Sequence, residues 1–323
     1  MSFSSTVKEE LVRLPLGKNC CMLHEIGALT QTSGSLSLRG GGKVRVTYRV
    51  ENAALARRIF LLIRTRLGIT PSLHFVQHAR LGGRRSCILT LDDEAAQKLL
   101  LALHMMEEEN GLLSLKRTVP RHAMTRQCCR RAFIRGAFLG AGSMTNPEKG
   151  YHFEIVAADP GLKKTLLKLF EKAELPGRSV VRKGSEIVYL KDSQHIADML
   201  TLMGAHQGLM AFENARVRKN VRNQVNRVMN CDQSNMEKQL DASQRQIEAI
   251  KAMAIARGLD SLPPSLKEIA YLRLEKPEAN LKQLGDLLDP PIGKSGVNHR
   301  LRRLMALAQD LEKAQQPAEE DSQ

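Results

Sequence analysis

Apolar residues through the first two-thirds of the chain switch between two spacings, and the order of switching predicts its elements. A helical stretch opening at Cys20 gives way to SLSLR and KVRVTYRV, which alternate across Gly40-Gly41-Gly42 as the arms of a hairpin do. Leu55, Ile59, Leu62 and Ile63 then fall on one face of a helix predicted over 52–67. Strands follow near 73–77 and 85–91, and a helix near 93–106. The resulting order is α-β-β-α-β-β-α.

The order then recurs. CCMLHEIGALTQTSGSL (20–36) aligns without gaps to CCRRAFIRGAFLGAGSM (128–144), matching Cys20 with Cys128, Cys21 with Cys129, Ile26 with Ile134, Gly34 with Gly142 and Ser35 with Ser143. Behind the second copy the pattern predicts a helix to Leu139, strands near Ser143 and 151–157, and a helix over 162–173. Strands at 179–182 and 187–190 and a helix over 193–203 complete it. Self-similarity at this scale marks a duplicated unit. Two such units can pack about a pseudo-twofold axis, with Gly27, Ala28, Gly136 and Ala137 letting the opening helices approach closely.

The opening helix of each copy resembles the LAGLIDADG motif of homing endonucleases, closely in FIRGAFLGAGSM (133–144) and more loosely in EIGALTQTSGSL (25–36). The fold implied by that resemblance is the αββαββα unit used twice. In active members an acid just before the final Gly of each motif binds the catalytic metal; Ser33 and Ala141 stand there in this chain. A hydroxyl is a weak magnesium ligand and a methyl is none, whereas metal-assisted phosphodiester cleavage requires carboxylate oxygens. The expectation is a nuclease scaffold without nuclease chemistry: no catalytic residue, no metal, no cofactor and no enzyme.

Charge points to a polyanionic partner. Lys and Arg outnumber Asp and Glu by 49 to 34, giving a formal charge of +15. Part of the excess lies in a connector over 213–240, where Arg216, Arg218, Lys219, Arg222 and Arg227 occur without an intervening acid. Val217, Val221, Val225 and Val228 recur at helical spacing, so the connector reads as a helix with a Val-lined face and an Arg/Asn-rich face. The cations are either phosphate contacts or a solvated face. Arg121, Arg126, Arg130, Arg131 and Arg135 are a further basic run on the first lobe, unless they pair locally.

From Asp241 four short helices are predicted. Ser243 with Gln246, Ser265 with Glu268, and Asn280 with Gln283 have the spacing of capping boxes. Pro263-Pro264 separates the first two helices, and Asp289-Pro290-Pro291-Ile292-Gly293 ends the third. The last helix, starting at Ser295, carries Val297, Leu301, Leu304 and Ala308 on one stripe, with His299, Arg302 and Arg303 pointing outward and Asn298 and Arg300 at the flanks. An apolar back and a cationic front are what a recognition helix needs. Asn298 and Arg302 are therefore assigned to base edges, and Lys294, Arg300 and Arg303 to phosphates, with Ser295 at the helix start. The helix-turn-helix runs from Asn280 to Lys313.

The string at 266–304, above all GKSGVNHRLRRL, resembles the C-terminal domain of the WhiA family, a domain similar to region 4 of sigma factors; NRVMNCDQSN in the connector and the two degenerate motifs extend the resemblance over nearly the whole chain. It implies a DNA-binding regulator, a transcription factor with roles in cell division, chromosome segregation and, in sporulating relatives, sporulation. The alternative is a nucleoid-associated or division-linked adaptor working mainly through protein contacts.

The fold class expected is α+β: a first repeat with an N-terminal helix over 1–106, a second over 107–212, the connector over 213–240, an all-α helix-turn-helix domain over 241–313 and a disordered tail over 314–323. No stretch has the roughly 20 consecutive apolar residues of a membrane span, and MSFSSTVKEELVRL has acids where a signal peptide needs an apolar run, so a cytoplasmic, nucleoid location is expected. The partner is double-stranded DNA, with other transcription or division proteins as candidates. Cys20, Cys21, Cys87, Cys128, Cys129 and Cys231 show no CxxC spacing and read as reduced, packed thiols; zinc on Cys21 and His24 lacks a second ligand pair. Gly293-Lys294-Ser295 is not a P-loop, because Leu288 stands where its first Gly belongs; Gly140-Ala141-Gly142 follows a helix, unlike a dinucleotide loop.

Overall fold

The structure, a computed structural model, describes residues 2–39, 43–78, 84–109, 112–115 and 125–315. It divides into two compact units, Met1–Asn220 and Val221–Gln323.

The first unit opens with α1 (Phe3–Arg13), capped by the Ser2 hydroxyl, which accepts a hydrogen bond from the Ser5 amide. The first repeat is α2 (Asn19–Ser33), β1 (Gly34–Arg39), β2 (Lys43–Val50), α3 (Ala53–Leu67), β3 (Ser72–His78), β4 (Arg84–Asp92) and α4 (Asp93–Ala102). After a small antiparallel hairpin, β5 (Met106–Glu109) with β6 (Leu112–Leu115), the second repeat follows. It comprises α5 (Gln127–Ala141), β7 (Gly142–Met144), β8 (Phe153–Ala157), α6 (Pro160–Glu171), β9 (Arg178–Arg182), β10 (Ser185–Leu190) and α7 (Ser193–Met203). The sheets run β1-β2-β4-β3 and β7-β8-β10-β9, both antiparallel and equivalent position by position, so the duplication read from the sequence is a duplication of fold.

Each sheet turns alternate residues inward: Val44, Val46, Tyr48 and Val50 from β2, and Phe153, Ile155 and Ala157 from β8. Phe153 stacks on Phe138 of α5, ring centroids 5.0 Å apart. Element ends follow local chemistry. Asn52 caps α3 by accepting from the Ala54 and Leu55 amides, Asp159 precedes Pro160 at the start of α6, and Asp192 caps α7. α2 and α5 pack against each other at the centre of the lobe, and α2 is buried continuously from His24 to Gln31, which explains its lack of a polar stripe. Its Thr30 hydroxyl stays satisfied in that interior, 2.6 Å from Tyr48 Oη and donating to Ile26 O.

The close approach expected at small residues is real at Gly136, where an added Cβ would also stand 3.0 Å from the Ala28 Cβ, and it extends to Gly140. A Cβ on Gly136 would lie 2.6 Å from Glu25 O, and one on Gly140 would lie 2.0 Å from Thr32 Oγ1. Gly27 has no such constraint, since a Cβ there would meet only a Leu103 methyl at 3.5 Å. The helix expected over 93–106 stops at Ala102, and β5 begins where its last turn was placed. The Gly40-Gly41-Gly42 turn, Arg121 and the tail from residue 316 lie outside the described residues; positions 314 and 315, placed in the tail by the sequence pattern, belong to the last helix.

The largest departure is α8 (His206–Arg257), 52 residues of continuous helix. No Gly or Pro occurs between Leu209 and Arg257, so nothing in that span breaks the backbone ladder. Its start packs in the first unit, where Phe212 lies against Phe3 and Tyr151. The connector is therefore the middle of this helix, not a separate element, and its Val face is not buried: Val217, Val221, Val225 and Val228 are 50–58% exposed.

In the second unit α8 packs with α9 (Pro264–Glu275), α10 (Leu281–Asp286) and α11 (Lys294–Gln315) around Ile250, Met253, Leu266, Ile269, Leu284, Val297, Leu301 and Leu304. Ser243 sits in mid-helix rather than at a start; its hydroxyl donates to Pro277 O, 2.5 Å away. Ser265 is likewise inside α9, whose preceding residue is Pro263 and which has no side-chain cap. Of the three capping boxes predicted, only Asn280 with Gln283 forms, both hydrogen bonds being present.

Candidate nucleic-acid interface

Three local features build the helix-turn-helix. Asn280 Oδ1 accepts from the Lys282 and Gln283 amides while Gln283 Oε1 accepts from the Asn280 amide, so α10 starts at a defined residue. The turn then folds back on α10, where the Ile292 amide donates to Gly285 O at 3.1 Å. A Cβ on Gly285 would stand 2.2 Å from Ile292 O, so only glycine permits this approach. Finally, Val297, Leu301, Leu304 and Ala308 are buried at 3% exposure or less, which fixes the rotation of α11 about its axis.

That rotation sorts the assigned residues. Lys294, Ser295, His299, Arg302 and Arg303 are exposed. Asn298 is half-buried beside Lys294 in a groove of about 670 Å³, whose lining also includes Lys282 of α10 and Arg273 of α9. Arg300 does not project freely: its Nη1 lies 3.5 Å from Ser265 O and 3.7 Å from Glu268 Oε2, both on α9, which weakens its assignment to phosphate. Arg303 stands near Arg257 and Leu307, on the side of α11 away from the Asn298 groove.

The connector cations divide similarly. In the first unit Arg216 pairs with Glu213 at 3.0 Å and Arg218 with Glu148 at 3.3 Å, while Lys219 sits 4.7 Å over the Tyr151 ring. Arg222 and Arg227, in the second unit, are exposed. Within the basic run of the first lobe, Arg131 donates to Leu202 O and Arg135 to Glu25 Oε2 at 2.6 Å, so local pairing claims both.

Arg135 leads to a group that spacing did not disclose. Glu25 of α2 is 1% exposed and is held by Arg58 of α3, through Oε1 at 2.5 Å and Oε2 at 3.2 Å, as well as by Arg135 of α5. Arg58 Nη1 also donates to Leu14 O and Val12 O. Arg273, 2% exposed, plays a comparable part in the second unit, donating through Nη1 to Ala279 O at 2.7 Å and reaching Ser243 Oγ and Pro277 O at 3.4 Å. Burial lowers its pKa from the ordinary arginine value. No sequence signal distinguishes these arginines from surface ones.

Ser33 and Ala141 close α2 and α5. The Ser33 hydroxyl donates to Leu29 O, its own helix, at 2.8 Å, and Ala141 has no polar side-chain atom. Among the described residues, the only cluster of three or more His, Cys, Asp or Glu side chains able to converge on an ion lies at the opposite ends of these helices: Cys20, Cys21, Cys128 and Cys129. All six cysteines are free, as expected, but Cys128 and Cys231 are exposed rather than packed. His24, expected beside Cys21 in any zinc site, is outside the quartet, with Nδ1 2.6 Å from Cys20 O. Burial, reinforced by the neighbouring thiols, pushes Cys21 up to about 11 and Cys129 up to about 12. At Cys20 burial acts in the same direction, but hydrogen bonds with Cys129, Cys21, Cys128 and Arg126 outweigh it and leave the thiol below its ordinary value.

No described helix is long and apolar enough to cross a membrane. Three family models match in tandem: the WhiA N-terminal LAGLIDADG-like domain over 19–106, the WhiA LAGLIDADG-like domain over 130–222 and the WhiA C-terminal HTH domain over 225–308. The chain is 42% identical over 309 residues to the probable cell division protein WhiA of Heliobacterium modesticaldum, covering 96% of both chains. It is 40% identical to the protein of the same name from Alkaliphilus metalliredigens, over 95% of this chain and 98% of that one. Its fold is shared with the crystal structure of full-length DUF199/WhiA from Thermatoga maritima, at a TM-score of 0.58 and 22% identity over 96% of this chain and 99% of the other. With a doubled LAGLIDADG-like lobe, a helix-turn-helix and relatives of this identity over nearly its whole length, the chain belongs to the WhiA family.

Proposed function

We propose that this chain is a DNA-binding transcriptional regulator acting in cell division, and that α11 is its recognition helix. The observation carrying the reading is the division of α11 into a buried stripe, Val297, Leu301, Leu304 and Ala308, and an exposed face bearing Ser295, His299 and Arg302. A helix held by one face presents the other to a major groove, where Arg302 can bridge guanine O6 and N7 and Asn298, at the edge of that face, can reach adenine. Lys294, Arg303, Arg222 and Arg227 supply sequence-independent phosphate contacts. The family name carried by the relatives supports a role in division; chromosome segregation, and sporulation where the host sporulates, extend the same reading, as does a nucleoid location in the cytoplasm.

Cleavage has no part in this function. Ser33 and Ala141 provide no carboxylate at the motif ends, so the first lobe serves as a scaffold for DNA or protein contacts. Incubating the purified protein with duplex DNA and Mg²⁺ checks this: strand scission abolished by a chelator overturns it.

Fluorescence anisotropy with genomic fragments and random duplexes, over a range of salt concentrations, tests the regulator. Fragments selected from the genome are expected to bind at least about a thousandfold more tightly than random DNA at physiological salt. Equal affinity for both rejects the sequence-specific regulator in favour of the division-linked adaptor that binds DNA loosely.

A further inference from the structure

We propose that Cys20, Cys21, Cys128 and Cys129 form a tetrathiolate site for one zinc ion, clamping the two repeats of the first unit together. The argument is geometric first. A tetrahedral zinc with bonds of about 2.3 Å to sulfur sets its ligands about 3.8 Å apart. In this structure the Sγ atoms of Cys20 and Cys21 are 3.9 Å apart, those of Cys128 and Cys129 are also 3.9 Å apart, and all four lie within 4.8 Å of one another. Two opposite edges of the tetrahedron are thus near their final length, and the remaining edges close by no more than about 1 Å, within reach of side-chain rotation.

Topology supplies the second argument. Each repeat contributes two ligands from equivalent positions in the first turn of its motif helix, Cys20 and Cys21 in α2 and Cys128 and Cys129 in α5. The two helices that cross at the centre of the lobe bring these turns together. Adjacent cysteines are poor disulfide partners and poor chelators alone, but two pairs facing each other across a pseudo-twofold axis provide four converging sulfurs. The cross-link joins segments far apart in the chain, the arrangement in which a metal clip most restricts the unfolded state.

Electrostatics is the third. Four thiolates around Zn²⁺ leave an excess negative charge, and two helix N-termini face it, neither α2 nor α5 having a side-chain cap. Lys18 and Arg126 occupy the cap positions and add positive charge beside the thiolates. Cys128 is exposed and Cys20 half-buried, which gives an ion a way in, whereas Cys21 and Cys129 are buried and shield it once bound. The site is separate from Ser33 and Ala141, at the other ends of the same helices, and its filling is independent of whether α11 reads DNA.

The test uses the full-length chain expressed with zinc and purified under reducing conditions without chelator. Elemental analysis is expected to find one zinc per chain in the wild type and in Cys231→Ser and Cys87→Ser, and loss of zinc in Cys20→Ser and Cys128→Ser. After chelation under reducing conditions, titration with Co²⁺ alone is expected to give the visible ligand-field bands of a tetrahedral cobalt thiolate and its near-ultraviolet charge-transfer band, saturating at one equivalent. Because that titration reads the wild type, misfolding of a serine variant leaves it decisive. Zinc no higher than in a buffer blank together with no cobalt thiolate bands overturns the proposal. So do bands that survive in both serine variants, or recovery of an inter-repeat disulfide as the stable form under the same reducing conditions.

Discussion

Glu25 offers the sharpest check on how the doubled lobe is held together. Its carboxylate is 1% exposed and accepts from Arg58 through both oxygens and from Arg135 through Oε2, the latter crossing from one repeat to the other. Glu25→Ala strands the Arg58 guanidinium, 2% exposed, leaving it among the described residues with the Leu14 and Val12 carbonyls as partners. Charge-assisted hydrogen bonds contribute about 1.5–3 kcal/mol each, but bonds to one carboxylate are not additive. The better guide is the uncompensated buried charge, which costs about 3–5 kcal/mol. Arg135→Ala should cost less, about 1–2 kcal/mol, because its side chain is 13% exposed and water can screen the remaining pair. In Glu25→Ala/Arg58→Met, where the fully buried Arg58 charge is gone and only the partly exposed Arg135 loses its carboxylate, at least about 2 kcal/mol of the single-mutant loss should return. Urea unfolding followed by circular dichroism, with hydrogen exchange on α2 and α5 to assign the transition to the first unit, measures these three variants and Arg58→Met alone, which completes the cycle. Glu25→Ala within about 1 kcal/mol of wild type, or single-mutant costs that add to within about 0.5 kcal/mol in the double variant, would falsify the buried-triad account.

Four further outcomes rest on particular side chains. Gly285→Ala forces a methyl to within 2.2 Å of Ile292 O and should destabilise the second unit by about 1–3 kcal/mol, detected as faster hydrogen exchange in α10 and α11; unchanged exchange would show that the turn can shift freely. Arg302→Ala should cost about 1–3 kcal/mol on a selected site and little on random DNA, and an equal loss on both reassigns Arg302 to phosphate. Replacing Arg222 and Arg227 together by Ala should weaken binding to all sequences alike and lower the log–log salt slope by about 0.9 for each phosphate no longer neutralised; an unchanged slope removes them from the interface. Asp192→Ala removes the cap of α7 at a cost of about 1 kcal/mol. Backbone hydrogen bonds, first that from His195, hold the Asp192 carboxyl below its ordinary value, so its contribution is complete above the usual carboxylate range and fades as pH falls through the lowered value. A difference between wild type and variant that grows on acidification contradicts that sign.

The architecture ties packing to function in different ways in the two units. In the first, Gly136 and Gly140 bring α2 and α5 close together, and the same crossing sets the Glu25 triad and the cysteine quartet. In the second, the Gly285 turn and the four-residue apolar stripe set which side of α11 is free to meet a ligand.

What the sequence determined by itself is whatever depends on near neighbours. Alternation placed the strands, the gapless CC-to-CC alignment exposed the duplication, the Asn280 capping box started α10, and the spacing of Val297, Leu301, Leu304 and Ala308 fixed the buried side of α11. Each of these follows from a period or a hydrogen bond spanning a few residues. Tertiary structure decided the rest, because it turns on partners far away in the chain. Ser243 has the local pattern of a helix start, yet its hydroxyl goes to Pro277 O and α8 continues through it. Arg135 and Arg300 resemble surface cations until Glu25 and the end of α9 stand beside them. The cysteines, unpromising as adjacent pairs, become a four-sulfur cluster only when two helices from different repeats cross, and no spacing rule within either pair encodes that crossing.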